Sequence, residues 1–335
     1  MTTPKIEFHN IHSPEPWEFG PGMLLPRYPR HVREAMNEGG RVQSAQATGV
    51  ELRFATKATN IRVYLSSPEI DGEVTVFCGG FQHSAHKLPA GLPVCIHLTP
   101  PDRFPVVTPE TIRTGPFSPE IWRIIASRST LVFRGLNTYG HAVRPPTAEE
   151  KPRLKWLAYG SSITHSSWKG YPQQAAWRLG VDVQNKGLSG SCHVEDTTAN
   201  FLARQCDWDF ATLEMGINMR EKFTAEEFAR RARYIVEEFT TAKPGQPVVL
   251  ITVFPNNVQY QTPPPPAWER EQAFNESVRS LAKEFASRNV HLVEGSEVLG
   301  EFTNWGIDLL HPSEFGHVRM GENLANALKP IIAGL

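Results

Sequence analysis

The stretch Leu154-Lys-Trp-Leu-Ala-Tyr-Gly-Ser-Ser-Ile163 decides the fold of the second half of this 335-residue chain. The apolar run from Leu154 to Tyr159 ends at a turn sequence, which predicts a short buried strand. A helix is expected soon afterwards, at Tyr171 to Leu179. A buried strand followed by a helix is the unit from which parallel α/β sheets are built.

The same unit repeats along the rest of the second half. Further strands are predicted at Val181 to Gln184, Phe210 to Glu214, Val248 to Val253 and Val290 to Val293. Helices are predicted near Thr197 to Arg204, after Thr224, from Trp268 to Ser287 and after Pro312. Right-handed crossovers between such strands give a parallel sheet, whose active groups belong at the carboxyl ends of the strands.

The first half alternates apolar and polar residues in short runs, as in Val50, Leu52 and Phe54, and again in Ile61, Val63 and Leu65. This period-two pattern without intervening helices favours an antiparallel sandwich or jelly roll. A polar stretch, Arg144 to Arg153, separates this alternating pattern from the strand-and-helix units of the second half. We therefore expect a jelly-roll-like β-sandwich domain over residues 1–148 and an α/β catalytic domain over residues 149–335. The Pro-rich first forty residues receive no assignment.

Composition excludes several classes of partner. The formal net charge is -1 and the basic residues form no long run, so neither nucleic acid nor an anionic membrane is expected to bind. No stretch is long and apolar enough to span a membrane, and Met1 to Asn10 lacks the features of a secretory signal. The four cysteines include no CxxC pair, which favours free thiols, a cytoplasmic location and no metal site.

Four short elements carry possible chemistry. Gly160-Ser-Ser-Ile163 places serines at a strand end, although it is not a GxSxG elbow and small residues after a strand usually form a plain turn. Asp308-Leu-Leu-His311 can share one loop, in which the carboxylate orients the imidazole, although a helix cap also accounts for it. Asn185 to Gly190 and Gly216-Ile-Asn218 offer amide donors at the ends of two further strands, where turns and caps are the alternative.

The order of these elements resembles the four blocks of the SGNH, or GDSL-like, hydrolases, and the resemblance runs from Leu154 to about Leu328. It implies a flavodoxin-like α/β/α sandwich and a serine hydrolase that needs no metal or cofactor. The two-part layout also resembles certain carbohydrate esterases and a salicylyl acyltransferase. The enzyme is expected to act on a small-molecule or saccharide ester, and the sequence assigns no oligomeric state.

The resemblance implies a role for each matched residue. Ser162 becomes the nucleophile, and Asp308 and His311 complete its triad. The oxyanion hole consists of the Ser162 amide, the Gly190 amide and the Asn218 side chain. Gly187 is the alternative glycine donor if the alignment shifts.

Two positions depart from the family pattern. Ser161 stands where the family usually has Asp before the nucleophile, and Met219 stands where Asp commonly follows the oxyanion Asn. Neither position performs the chemical step, so activity is expected to survive.

Four further residues are candidates for the substrate pocket, with core packing or local hydrogen bonding as their alternative: His165, Trp168, Tyr171 and Trp305. Hydrolysis of short-chain acyl esters, such as acetylated saccharides, is the function expected from the sequence. The alternatives are acyl transfer to a sugar or natural-product hydroxyl and an inactive carbohydrate-binding protein.

Overall fold

The computed structural model describes residues 6–335; residues 1–5, where the expected first domain and the stretch Met1 to Asn10 begin, lie outside it. The chain forms two compact units. The β unit contains the described part of Met1–Pro29 together with Ser44–Arg153, and the α/β unit contains Arg30–Gln43 together with Leu154–Leu335. Part of the Pro-rich start, which the sequence left unassigned, thus belongs to the α/β unit.

The β unit consists of two antiparallel sheets. Its strands are β1 (Glu7–His9), β2 (Glu15–Pro16), β3 (Met23–Leu24), β4 (Glu51–Thr56), β5 (Ile61–Ser66), β6 (Gly72–Cys78), β7 (Phe81–Leu88), β8 (Pro93–Leu98), β9 (Ile121–Ala126), β10 (Val132–Asn137) and β11 (Val143–Arg144). One sheet has the order β1-β4-β9-β6-β7, with β11 also paired to β4, and the other has the order β2-β3-β10-β5-β8. The expected antiparallel sandwich is confirmed.

The alternating runs bury one face of each strand, as in β5, where Ile61, Val63 and Leu65 are inside. Strand β9 departs from this pattern because all six of its residues are buried. Its Arg123 forms a bidentate pair with Glu51, at 2.7 and 2.9 Å. Burial alone would raise the pKa of Glu51, but Arg123 and Arg53 outweigh it and hold that pKa well below its usual value. A buried charge is tolerated here because it is paired.

The α/β unit contains five parallel strands: β12 (Lys155–Tyr159), β13 (Asp182–Asn185), β14 (Phe210–Glu214), β15 (Val248–Ile251) and β16 (Val290–Val293). Their order is β13-β12-β14-β15-β16. The helices of the chain are α1 (Arg30–Ala35), α2 (Glu38–Ala45), α3 (Pro109–Ile112, in the β unit), α4 (Ser162–His165), α5 (Tyr171–Leu179), α6 (Asp196–Gln205), α7 (Ala225–Ala242), α8 (Pro266–Glu284), α9 (Gly295–Val298) and α10 (Glu314–Ile332). The expected α/β architecture is confirmed.

The central strands of this sheet are buried throughout. All residues of β14 and β15 are inside, as expected for a parallel sheet covered by helices on both faces. The carboxyl ends of β12, β13 and β14 consequently come together at one edge, because β12 pairs in register with both neighbours. The residues that follow these three strands therefore share one site.

The segment Arg30–Gln43, which lies between β3 and β4 in the sequence, packs onto the loop after β13. Asn37 donates from its side chain to the Ser191 carbonyl and to the Glu195 carboxylate. Gly39 approaches Ser191 so closely that a Cβ would lie 2.3 Å from the serine Oγ. These contacts lie wholly within the α/β unit. Among residues 6–335, no helix is long and apolar enough to cross a membrane.

Candidate active site

Ser162 lies at the carboxyl end of β12, as the first residue of the single-turn helix α4. Ser161 caps this helix, because its side chain accepts the Ile163 amide at 3.3 Å. The two neighbouring serines thus have different surroundings. The Ser161 side chain is committed to the helix start, whereas the Ser162 hydroxyl faces a histidine.

The three expected triad residues are joined by hydrogen bonds. Ser162 Oγ lies 2.8 Å from His311 Nε2, and His311 Nδ1 lies 2.7 Å from Asp308 Oδ2. With Nδ1–H donating to the carboxylate, Nε2 is the ring nitrogen that accepts the serine proton. The arrangement is that of a nucleophile, a general base and a group that fixes the tautomer of the base.

Several hydrogen bonds hold the loop that contains Asp308. Asp308 Oδ1 accepts the backbone amides of Leu310 and His311 at 3.1 and 3.0 Å, while its Oδ2 holds the imidazole. The Gly306 amide closes the loop by donating to the His311 carbonyl at 2.7 Å. Asp308 therefore orients its histidine through both the ring and the backbone.

The pKa of Asp308 reflects these contacts. Partial burial would raise it, but the hydrogen bonds from the His311 ring and amide and from the Leu310 amide outweigh burial and lower the pKa. The side chains of Asp308 and His311 remain 50% and 45% exposed. Their attraction is therefore screened by water, and the pair contributes geometry more than stability.

A turn after β15 supports this loop from outside. The Asn257 amide donates to the Leu309 carbonyl at 2.8 Å, and the Asn257 side chain donates to the Asp308 carbonyl at 3.3 Å. The preceding residue, Asn256, is held in turn by the buried pair Arg220 and Glu271. Arg220 comes two residues after Asn218, so this network links the segments that follow β14 and β15.

Three hydrogen-bond donors suited to an oxyanion are present. Within residues 6–335, the backbone amides of Ser162 and Gly190 and the side-chain nitrogen of Asn218 have no hydrogen-bond partner. The side-chain oxygen of Asn218 accepts the Cys192 amide at 3.2 Å, which fixes the orientation of its amide group and joins it to the glycine loop. Gly190 has a φ of +64°, a left-handed conformation that glycine adopts without strain.

Gly187, the alternative donor, has another task. Its amide donates to Asn185 Oδ1 at 3.0 Å, and a Cβ at this position would lie 2.3 Å from the His165 amide nitrogen. The Asn185 side chain also donates to the Thr164 carbonyl at 2.7 Å. Asn185 and Gly187 thus hold the loop after β13 against α4. The free amide of Gly190 fits the donor role better.

Glu214 is a buried group whose role the sequence did not reveal. It lies at the end of an apolar strand, and its carboxylate accepts the Ser161 amide at 2.7 Å and the Thr164 hydroxyl at 3.1 Å. Burial raises the pKa of Glu214, although hydrogen bonds from the Ser161 amide, the Ser161 side chain and the Thr164 side chain act in the opposite direction. Glu214 therefore fixes the turn that presents Ser162.

The residues expected near the substrate have different surroundings. His165 and Tyr171 are fully buried, with His165 Nδ1 accepting the Ser189 amide and the Tyr171 hydroxyl 2.7 Å from Thr164 Oγ1. They pack behind the nucleophile and do not line a pocket. Trp305 is 6% exposed, and Trp168 is partly exposed beside Lys169.

The structure also places Met219, the second departure from the family pattern, and His317, a second imidazole near the triad. Met219 is fully buried, so the position that commonly carries Asp belongs to the core. His317, which the sequence did not indicate, accepts the Tyr171 amide and contacts Ser166 Oγ. Burial, with a smaller contribution from nearby His311, lowers the pKa of His317 to about 4. No cluster of metal-ligating side chains occurs in residues 6–335.

Solved structures with the same fold have low sequence identity. The chain superposes on the salicylyl-acyltransferase SsfX3 of a tetracycline biosynthetic pathway with a TM-score of 0.81 and 17% identity, covering 99% of this chain and 96% of that one. A putative GDSL-like lipase from Bacteroides ovatus gives a TM-score of 0.69 at 17% identity, covering 98% of both chains. A family two carbohydrate esterase from Clostridium thermocellum, in complex with cellohexaose, gives 0.62 at 13% identity, covering 86% and 94%. These likenesses show the fold.

A sequence comparison with curated proteins finds no match. Residues 158–319, which include Ser162, Asn218, Asp308 and His311, match the GDSL-like lipase/acylhydrolase family model. The chain therefore carries a domain of the GDSL-like lipase/acylhydrolase family and is an ester-acting serine hydrolase.

Proposed function

We propose that the protein is an esterase that hydrolyses short-chain acyl esters through an acyl-enzyme on Ser162. The observation that carries this proposal is the continuous hydrogen-bond chain from Ser162 through His311 to Asp308. The amides of Ser162 and Gly190 and the side chain of Asn218 offer three donors without partners in residues 6–335, so attack on a carbonyl and stabilisation of the resulting oxyanion can occur together.

In the proposed acylation, His311 Nε2 takes the proton of Ser162 Oγ as that oxygen attacks the ester carbonyl. Asp308 stabilises the imidazolium without taking its proton. His311 then gives the proton to the departing alcohol oxygen. Water, activated by the same imidazole, attacks the acyl-enzyme, and the proton returns to Ser162 as the acid leaves.

The oxyanion is held by the Ser162 and Gly190 amides and by Asn218 Nδ2. The helix start at Ser162 adds to this effect only locally, because α4 is a single turn. The donors need no rearrangement during reaction, since Asn218 is fixed by the Cys192 amide and the Ser162 turn by Glu214. Such preorganised donors stabilise the transition state more than the ground state.

Acyl transfer to an alcohol is the second candidate, because the same triad serves both reactions. Exposure of Asp308 and His311 to about half supports hydrolysis, since water reaches the base that would activate it. An inactive carbohydrate-binding protein is disfavoured because the triad geometry and the three donors are intact. The substrate class proposed here is a small ester, of which acetylated saccharides are one example. Carbohydrate esterases among the similar structures support that example.

Replacement of the two neighbouring serines tests the nucleophile. We expect Ser162→Ala to abolish turnover of a short-chain aryl ester, while circular dichroism and the unfolding midpoint stay unchanged, since Ser162 contributes little packing. The matched variant Ser161→Ala keeps most activity, because it loses a side-chain cap and a hydroxyl contact with Glu214 but retains the backbone amide bound by Glu214. Undiminished turnover in Ser162→Ala, or a dead Ser161→Ala enzyme, contradicts the assignment.

The oxyanion hole is tested at Asn218. Asn218→Ala should lower kcat by about a hundredfold or more with a smaller change in KM, since the donor acts mainly in the transition state. Asn218→Asp keeps the acceptor for the Cys192 amide but replaces the donor by an anionic oxygen, so it should lose at least as much kcat. A pure KM effect in both variants would make Asn218 a substrate-binding residue instead.

The dependence of kcat/KM on pH tests the base. A general base must be neutral, so kcat/KM should fall as the pH is lowered and the imidazole base becomes protonated. His317→Gln should keep this acid limb, because His317 stays neutral down to a pH of about 4. Asp308→Asn preserves an oxygen for the Leu310 and His311 amides but loses the acceptor for the ring, so kcat/KM should drop about a hundredfold or more. The account is wrong if the acid limb disappears in His317→Gln, or if Asp308→Asn retains the full rate.

A further inference from the structure

Exposed apolar side chains are concentrated beside the loop of His311. Of the eight large apolar side chains that are exposed in the α/β unit, five lie here, and the other three are Val42, Trp177 and Leu292. The five are Tyr260, Phe302, Ile307, Leu309 and Phe315. Isolated exposed apolar residues are ordinary, but here Ile307 and Leu309 flank Asp308, Phe315 follows His311 by four residues, and Tyr260 and Phe302 contact Trp305 of the same segment. Such a concentration beside a reactive centre marks a binding surface. We call these five residues the apolar rim.

Aromatic contacts hold one side of the rim together. The rings of Tyr260 and Phe302 meet edge to face with centroids 5.3 Å apart, and each also contacts the ring of Trp305, at 5.8 and 4.8 Å. Trp305 is buried and forms a β-bridge with Pro312, which directly follows His311. The half-exposed rings of Tyr260 and Phe302 are therefore fixed on a base that is continuous with the loop of His311.

The loop itself supplies the most exposed members. Ile307, immediately before Asp308, is fully exposed, and Leu309, immediately after it, is 36% exposed with a φ of +51°. Both are held in place by the loop's hydrogen bonds, including those from Gly306 and Asn257 to its carbonyls. Large apolar side chains thus stand on both sides of Asp308, one fully exposed and one partly exposed.

The mechanism decides which part of a substrate reaches this surface. His311 must lie within hydrogen-bond reach of the leaving alcohol oxygen to protonate it, so the alcohol portion of the ester extends on the side of His311. The carbonyl oxygen instead points to Ser162, Gly190 and Asn218, whose donors come from the ends of β12, β13 and β14. Residues on the His311 loop therefore border the alcohol portion.

We infer that the apolar rim binds an apolar, ring-sized group on the alcohol portion of the ester. The inference rests on the proposed function and deepens it by assigning the alcohol class. Such a group covers the half-exposed pair Asp308 and His311, which excludes water and strengthens their hydrogen bond during reaction. A polyhydroxylated saccharide, in contrast, would leave these apolar side chains in contact with polar groups.

The same surface serves an acceptor alcohol. In that reaction the oxygen of the alcohol attacks the acyl carbon of the acyl-enzyme while His311 Nε2 takes the hydroxyl proton. The bond between the acyl carbon and Ser162 Oγ then breaks, and Ser162 recovers its proton from His311. The products are a new ester and the free enzyme, so no further reactant is needed.

The test compares alcohols at a constant acyl group. Benzyl acetate and 2-methoxyethyl acetate have alcohols of similar acidity, so a difference in kcat/KM reports binding of the alcohol portion. We expect the protein to favour benzyl acetate about tenfold or more, the scale that burial of a few apolar groups gives. Ile307→Ser should reduce this ratio at least about fivefold. Ile307 is fully exposed, so the substitution removes no packing.

Two controls define the outcome. Ile70→Ser, at an exposed isoleucine of the β unit, should leave the ratio unchanged. The preference of Ile307→Ser between ethyl acetate and ethyl hexanoate should match that of the unaltered protein, because the acyl chain lies elsewhere. With excess benzyl alcohol, the unaltered protein should form more benzyl ester from the acyl-enzyme than Ile307→Ser does.

Three results overturn the inference while leaving the esterase assignment intact. The first is a ratio of benzyl acetate to 2-methoxyethyl acetate turnover near one in the unaltered protein, and the second is a preference for the methoxyethyl ester or an acetylated saccharide. The third is an effect of Ile307→Ser on acyl preference alone. Failure to turn over any ester would instead refute the proposed function, and the inference would fall with it. The two failures are thus distinguishable from the same set of rates.

Discussion

The parallel pairing of β12 with β13 on one side and β14 on the other is the constraint on which the whole site depends. It brings the ends of three strands to one edge of the sheet, so that Ser162, Gly190 and Asn218 converge from distant parts of the sequence. No single turn could present a nucleophile and three independent donors at once. The sheet does so because its strands are buried and their register is fixed.

Buried polar side chains fix the turns that follow these strands. Glu214 holds the Ser161 amide and the Thr164 hydroxyl, and Asn185 ties the glycine loop to α4. Each of these side chains replaces the water that a backbone group would otherwise need, so their loss would leave unsatisfied buried groups. The result is a rigid turn beneath a nucleophile that is itself partly exposed.

The side of the site that carries the base is organised differently. Asp308 and His311 lie on an exposed loop between β16 and α10. Asn257 supports this loop directly, and the buried pair Arg220 and Glu271 holds the neighbouring Asn256. This loop remains open to water until a substrate covers it. The two sides thus differ, because buried hydrogen bonds hold the turn at Ser162 whereas the side chains of Asp308 and His311 are about half exposed to water.

Much of this could be predicted from the sequence, because the relevant signals are local. The helix Tyr171–Leu179 and the strands Phe210–Glu214 and Val290–Val293 agree with their predicted bounds, since apolar runs and turn residues mark both ends. The triad and donor positions came from a resemblance, and the structure brings the triad within hydrogen-bond distance. The fully buried strand β9 and the place of residues 30–43 were missed, because burial on both faces and long-range packing leave no periodic pattern.

The supporting residues were missed for the same physical reason. Glu214, Asn256 and Arg220 act through hydrogen bonds to groups remote in sequence, and nothing in their immediate neighbours indicates those partners. The one available signal was a charged residue, Glu214, within an apolar strand. This pattern indicates a buried charge but does not identify its hydrogen-bond donors. The burial of Tyr171 likewise depends on the packing of α5 and could not be derived from its position near Ser162.

The central claim is that Ser162 is the residue that becomes acylated. Covalent labelling with a fluorophosphonate, followed by peptide mass spectrometry, tests this most directly, because only a serine activated by a neighbouring base reacts quickly. The account predicts one label per chain, located on Ser162, with labelling lost when His311 is replaced by alanine. A label on Ser161 or on any other residue, or labelling that persists without His311, would contradict it.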